Sequence, residues 1–252
     1  MMKKPVLLLC CLALIGGSTG CASKYGAQTT KVERYPQCYA PIKQLRDDET
    51  RVAKTTAGSA VGGALLGALI GGLSTGKVEG AVTGAAVGGI AGGAMGYAVA
   101  KQKEIKDQNA RMASYLKDLD GDIADLDAVK ASAGICIQCY DKEFKALLTS
   151  YKNGQITKIE LDASYQEIKS GIEEARRILG AKLQEADKKD EQYQAAINSE
   201  LQMAGDRNVG ATRTVQAKTV AYQRKKQDLQ QTDTECSRML VSMDQDMAAA
   251  AG

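Results

Sequence analysis

Five glycines recur every four residues at Gly80, Gly84, Gly88, Gly92 and Gly96, and a second run, Gly58, Gly62, Gly63, Gly67 and Gly71, precedes them. A spacing of four keeps residues on one face of an α-helix, so each run makes a stripe without side chains. Glycine weakens a helix interior by about 1 kcal/mol relative to Ala. Such a helix is sensible only where another backbone presses onto the stripe, which is the small-residue packing used between helices inside membranes. A flexible linker would lack the strict period, and here the intervening residues are largely Val, Leu, Ile and Ala. The segment is expected to insert and assemble.

Composition sharpens this. With one Phe, no Trp, three Pro and 26 Gly in 252 residues, the chain has little bulk for a large globular core. An elongated helical protein is the better expectation. Histidine is absent, which removes the usual general base, the proton shuttle and the commonest metal ligand together. No Ser-His-Asp or Cys-His site can exist, and neither enzymatic activity, a cofactor nor a metal is expected. The net charge of +3 includes Lys3 and Lys4 of an N-terminal targeting segment. No concentrated basic face is visible, so nucleic acid is not an expected partner.

That targeting segment fills residues 1–20. Lys3 and Lys4 form its basic start, Val6 to Ile15 its apolar stretch, and Gly16 to Gly20 a small-residue cleavage zone. It is too short to span a bilayer. Cleavage before Cys21 would leave a cysteine first. Thr19-Gly20-Cys21 resembles the end of a bacterial lipoprotein box, with Ser18 where that family prefers an aliphatic residue. The resemblance implies lipidation at Cys21, against plain secretion with a free or paired thiol. Because Ala22 and Ser23 lack the aspartate that retains such proteins in the inner membrane, it also implies the outer membrane. Four cysteines then remain, Cys38, Cys136, Cys139 and Cys236, and an even count in an oxidising compartment reads as two disulfides with three possible connectivities.

Along the chain, residues 21–50 are polar and aperiodic and read as a lipidated tether. Residues 51–100 hold two glycine-striped helices, Arg51 to Gly76 and Val78 to Ala100, joined at Ser74-Thr75-Gly76-Lys77. Their apolar runs, Ala57 to Leu73 and Gly80 to Ala100, would reach roughly 25 and 31 Å as helices, against a hydrocarbon core of about 30 Å. They hold few strong membrane formers, so such a hairpin could pass a secretion channel and insert later. Residues 101–252 are charged and periodic, predicting an elongated antiparallel helical stalk. Leu116, Leu119, Ile123 and Leu126 make a heptad seam. Ala131-Ser132-Ala133-Gly134 is expected to interrupt it, Asn153-Gly154 to stop the next helix, and Thr157 to cap a long run to Leu201. A loop is expected over Gly205 to Gly210, then a last helix from Thr212 or Thr214 with Val215, Tyr222, Leu229, Cys236 and Met243 seven apart.

Residues 57–100 also resemble the two-helix glycine-zipper domain of bacterial envelope lipoproteins and outer-membrane surface antigens. The resemblance rests on Gly63-Ala64-Leu65-Leu66-Gly67, the Gly76-Lys77 turn, the Gly80 to Gly96 ladder and the exit Gly96-Tyr97 to Lys101-Gln102-Lys103-Glu104. It implies membrane association and self-assembly rather than a reaction. Leu147 to Ile168, around Gly154-Gln155-Ile156-Thr157, resembles a short helical hairpin at the C-termini of many bacterial envelope proteins.

Two constellations need weighing. Cys136-Ile137-Gln138-Cys139 is a C-x-x-C, which in a thioredoxin-like protein is a redox pair. The chain lacks the βαβ context, so two structural cysteines with distant partners are favoured. A four-cysteine zinc site would want a second short-spaced knuckle, which Cys38 and Cys236 do not make. The acidic clusters Asp118, Asp120, Asp122, Asp125, Asp127 and Asp187, Asp190, Glu191 alternate with Lys on heptad-patterned helices and read as a solvated face. Asp118 to Asp122 lacks the terminal glutamate of an EF-hand.

The sequence therefore reads as an all-α, non-enzymatic outer-membrane lipoprotein with a glycine-zipper hairpin and a periplasmic stalk. Its expected partners are membrane lipid, copies of itself and other envelope proteins. A periplasmic thiol-redox protein and an oligomeric membrane pore are the alternatives.

Overall fold

The computed structural model describes residues 25–56, 93–204 and 209–251. Five helices fill them: α1 Pro36–Thr56, α2 Gly93–Glu104, α3 Gln108–Lys152, α4 Lys158–Ala204 and α5 Val209–Ala251. Among the described residues there is no strand, and the fold is an all-α bundle. The long helices α3, α4 and α5 pack on one another, while α1 packs on α3 and α2 on α4. At 1.5 Å per residue the 45 residues of α3 run about 67 Å.

Local chemistry sets the helix ends. The Asp107 carboxylate caps α3 by accepting the Ala110 N–H at 2.8 Å. Between α3 and α4, Asn153 ends the helix and Gly154 takes φ 67°, the left-handed conformation only glycine adopts freely. A capping box then starts α4: Glu160 accepts the Thr157 N–H at 2.8 Å, and Thr157 Oγ1 accepts the Glu160 N–H at 3.3 Å. α3 runs unbroken through Ala131 to Gly134, because Ala is the best helix former and Ala133 fills a core position. α5 begins at Val209, ahead of Thr212, and residues 205–208 of the expected loop lie outside the described residues.

The core is layered, and the register can be read from its numbers. Buried Tyr115, Leu119, Tyr140 and Cys136 of α3 match buried Val215, Thr219, Leu240 and Cys236 of α5, each about one hundred residues on. The ion pairs Lys130–Asp228 and Lys225–Asp127 hold the same parallel alignment to within a turn. α4 runs the other way, fixed by Arg111 on Glu200 at 2.7 Å and by the Tyr140 ring against Gly171.

The stretch read as a tether is docked instead. Tyr25, Cys38, Tyr39, Ile42 and Leu45 are buried. The sequence hid this because α1 carries only these few apolar residues among charges, and Pro41 sits inside the helix.

Candidate functional site

The glycine stripes are the feature the sequence singles out, and the bundle defines where they leave it. Gly58, Gly62, Gly63, Gly67, Gly71, Gly80, Gly84, Gly88 and Gly92 lie outside the described residues, as does Cys21. Gly96 falls on α2, half-buried, next to Tyr97 and Ala98, which are core.

Both flanks of the striped segment are held in one groove, between α3 and α4. α1 is tied to α3 by a Cys38–Cys139 disulfide and to α4 by Arg46 and Tyr39 on Glu174, the latter at 2.8 Å. α2 is tied to α3 by the Tyr97 hydroxyl on Asp118 at 2.6 Å and by Lys101 on Asp118 at 2.9 Å. On α4 it meets the Tyr193 ring, centroids 5.7 Å apart, and Gln102 donates to Ser199 at 2.9 Å. Continuing α1 antiparallel to α3 from Cys38–Cys139 brings Thr56 level with about residue 121 of α3. Continuing α2 back from Tyr97–Asp118 brings Gly93 level with about residue 122. Two independent registers thus converge. α1 and α2 are two pieces of one fourth helix, and the striped segment is an insertion between them.

Buried carboxylates on α4 hold this fourth layer. Glu174, fully buried, accepts the Thr30 N–H at 3.0 Å, the Thr30 hydroxyl at 2.8 Å and the Tyr39 hydroxyl, beside Arg46. Burial pushes its carboxyl up, but these hydrogen bonds and the Arg46 charge outweigh burial and leave it below the usual glutamate value. Glu167 accepts the N–H groups of Glu33, Arg34 and Tyr35 between 2.9 and 3.1 Å. At the far end Glu200, fully buried, takes two hydrogen bonds from Arg111, whose third nitrogen donates to the carbonyls of Ile105 and Lys106.

The acidic run of α3 corrects the solvated-face reading. Asp122 and Asp125 are buried. Asp125 pairs with Lys182, and Asp122 accepts the Tyr193 hydroxyl at 2.6 Å and pairs with Lys189. Burial opposes the Lys182 charge, yet Asp125 and Glu185 outweigh it and raise the ammonium above its usual value. Asp118 bonds Tyr97 and Lys101. Asp120 and Asp127 pair with Lys218 and Lys225 of α5, and Asp187 and Asp190 with Lys226. Asp120, Asp187 and Glu191 stay exposed, as the solvated-face reading expects. What the sequence did not single out is the set of buried charges on α4, Glu167, Glu174, Lys182 and Glu200, because a pairing between two helices leaves no mark in either helix alone. Glu160, Glu167 and Glu174, seven apart, were the available signal for an acidic stripe on one side of α4.

The cysteines divide differently from two bridges. Cys139 joins Cys38, and Cys136 and Cys236 stand as buried thiols. Three residues turn a helix by about 300°, so Cys136 and Cys139 point roughly 60° apart: one faces α5 and the other α1. The C-x-x-C therefore does not close on itself. Burial, then the neighbouring Cys236, pushes the Cys136 thiol up to about 12, and burial with Asp233 does the same at Cys236. A redox nucleophile needs the opposite shift. Cys38, Cys139 and the Glu143 carboxylate lie within 4.8 Å of one another, but a disulfide offers no thiolate to a metal. A crevice lined by Asp122, Asp125, Lys182, Lys189 and Tyr222 is closed by its own side chains and leaves no room for even a water-sized molecule, so it is no small-molecule site.

Residues 57–103 match the glycine-zipper family, so the chain carries a glycine-zipper domain that begins after α1 and ends within α2. No curated protein and no solved structure matches the chain. Among the described residues, no helix is long and apolar enough to cross a membrane.

Proposed function

We propose that this chain is a non-enzymatic outer-membrane lipoprotein, acylated at Cys21, that self-assembles through its glycine zipper and has a scaffolding role in the cell envelope. The observation that carries the reading is the zipper match over residues 57–103, set as an insertion whose two flanks are clamped in one groove of a bundle. The helices flanking the zipper, with α3, α4 and α5, supply the buried core of the bundle, which supports a zipper that serves an external partner. Membrane lipid and a second copy of the chain both suit a glycine stripe, through close backbone approach, dispersion and weak Cα–H···O contacts.

The docking of α2 also bears on how the zipper meets the bilayer. Residues 93–100 of the second apolar run belong to the bundle, and residues 80–92 would reach only about 20 Å as a helix, short of the roughly 30 Å hydrocarbon core. This supports a zipper that enters or lies in the membrane over one that crosses it on that run.

The test exploits the stripe. Gly88→Leu raises helix propensity, because Leu is close to Ala and Gly is about 1 kcal/mol worse, yet it places a side chain between two backbones. Oligomer size in mild detergent should fall for Gly88→Leu and hold for Val87→Leu, one residue off the stripe. Equal behaviour of the two with assembly intact removes the zipper argument. Loss of fatty-acid labelling in Cys21→Ser tests the anchor, and ion conductance in liposomes would turn the reading toward a pore.

A further inference from the structure

We infer that the bundle lies lengthwise against a lipid surface, with the layer formed by residues 25–35, α1 and α2 facing the bilayer, rather than standing on end as a stalk. The inference rests on the proposed acylation at Cys21 and zipper insertion, and adds to them the position of three chain exits.

The first exit is the approach to Tyr25. Tyr25 is buried. Next to it, Gly26 accepts from Arg46 at 2.8 Å and Ala27 from Arg177 at 2.9 Å. Tyr25 also acts electrostatically on Lys182, so it sits at the level of Arg177 to Lys182. Those two residues stand near the middle of α4, roughly 28 Å or more from either end at 1.5 Å per residue. Cys21 lies four positions before Tyr25, and a fully extended chain of that length reaches at most about 14 Å. An acyl chain on Cys21 therefore cannot enter a bilayer that touches only an end of the bundle. The shortfall is about twofold.

The second and third exits are Thr56 and Gly93, level with about residue 121 of α3 and so roughly 20 Å from the nearer end. All three lie on the fourth layer, so two attachments of different chemistry leave one side of the molecule, each roughly 20 Å or more from either end. The outward residues of that layer suit a membrane interface. Met95 and Val99, one turn apart on α2, are exposed apolar side chains. Lys31, Arg34, Lys43 and Lys103 are exposed on the same elements, against exposed Glu33, Asp47 and Glu104, a small basic excess that favours an anionic headgroup layer.

Energy transfer to labelled lipid tests this on full-length, processed protein reconstituted into liposomes that contain anionic lipid. Donors are placed one at a time at Asn153, on the turn between α3 and α4, at Leu201 near the other end, and at Gln230 on the outer face of α5. All three positions are exposed. A recumbent bundle gives strong and similar transfer from Asn153 and Leu201, and weaker transfer from Gln230. An upright bundle leaves one of the two ends about 60 Å or more from the bilayer, so that end shows almost no transfer, and this result overturns the inference while leaving the anchor intact. If Cys21 carries no lipid by mass and the protein floats free of the liposomes, all three donors stay unquenched. That outcome removes the anchoring reading and the orientation with it.

Discussion

Gly171 and Gly180 are both interior glycines of α4, and alanine at the two sites should move stability in opposite directions. Helix propensity favours Ala over Gly by about 1 kcal/mol at either site. At Gly180 an added Cβ would meet nothing within 4 Å, so Gly180→Ala should stabilise by up to that amount. At Gly171 the same Cβ would stand 2.4 Å from Cε2 and Cζ of Tyr140 and 2.5 Å from its hydroxyl, well inside van der Waals contact. The Tyr140 ring has no retreat: it is fully buried, edge-on to Tyr35 at 6.4 Å, with its hydroxyl unpartnered. Overpacking of this kind costs about 1–3 kcal/mol, which offsets the propensity gain of about 1 kcal/mol and leaves Gly171→Ala destabilised by up to about 2 kcal/mol. A kcal/mol moves Tm by roughly 2–4 °C in a chain of this size, so the two variants should separate by several degrees. Urea midpoints followed by far-ultraviolet circular dichroism supply the free energies. If Gly171→Ala stabilises as much as Gly180→Ala, the close approach of α3 and α4 at this layer is wrong, and the register built on it fails.

Three further outcomes follow from the buried charges and thiols. Arg111→Met leaves Glu200 buried without its guanidinium and should cost about 3–5 kcal/mol, whereas Arg111→Met combined with Glu200→Met should cost much less than the two singles summed; additive urea midpoints would refute the coupling. Glu174 has its folded pKa depressed below the usual value of 4.5, so its contribution is present above that value and is lost as pH falls through the folded pKa. Amide exchange at Thr29 and Thr30 should therefore accelerate below about pH 4.5 relative to the intrinsic rate, and Glu174→Gln should abolish that dependence; an unchanged profile in Glu174→Gln would assign the effect elsewhere. Cys136 and Cys236 share one layer of α3 and α5, so oxidation by a small-molecule disulfide should join them to each other, with loss of two hydrogens; peptide mapping that found Cys136 bonded to Cys139 would refute the layer.

Much of the bundle was legible because its signals are local. The seven-residue spacing of Val215, Tyr222, Leu229, Cys236 and Met243 needs only one helix to be seen, and so does the Asn153-Gly154 stop with its Thr157 cap. What escaped were features completed by a distant segment. α1 has too few apolar residues to announce a core face, and it becomes buried only because α3 and α4 leave a groove for it. Asp122 and Asp125 look solvated until Lys182, Lys189 and Tyr193 arrive from an antiparallel helix. Cys136 and Cys139 look like a pair in sequence because three residues is a short distance along the chain. On a helix it is also a change of direction, and direction decided their partners.

The same logic explains why the zipper could be placed inside this fold. An insertion is cheapest where the chain leaves and returns at one place, since closing a loop costs more as its ends are held apart. Thr56 and Gly93 meet at one level of the α3–α4 groove, so the insertion breaks only the weakest of four helices. The two pieces that remain are then held by side chains rather than by length: Cys38, Tyr39 and Arg46 fasten α1, and Tyr97, Lys101 and Gln102 fasten α2. α2, with 12 residues, is short enough to be marginal as a helix alone in water. The polar fastenings of the two pieces, on Asp118 of α3 and Glu174 of α4, hold the chain to the bundle on both sides of the glycine-striped segment, so neither flank depends on its own length for its place.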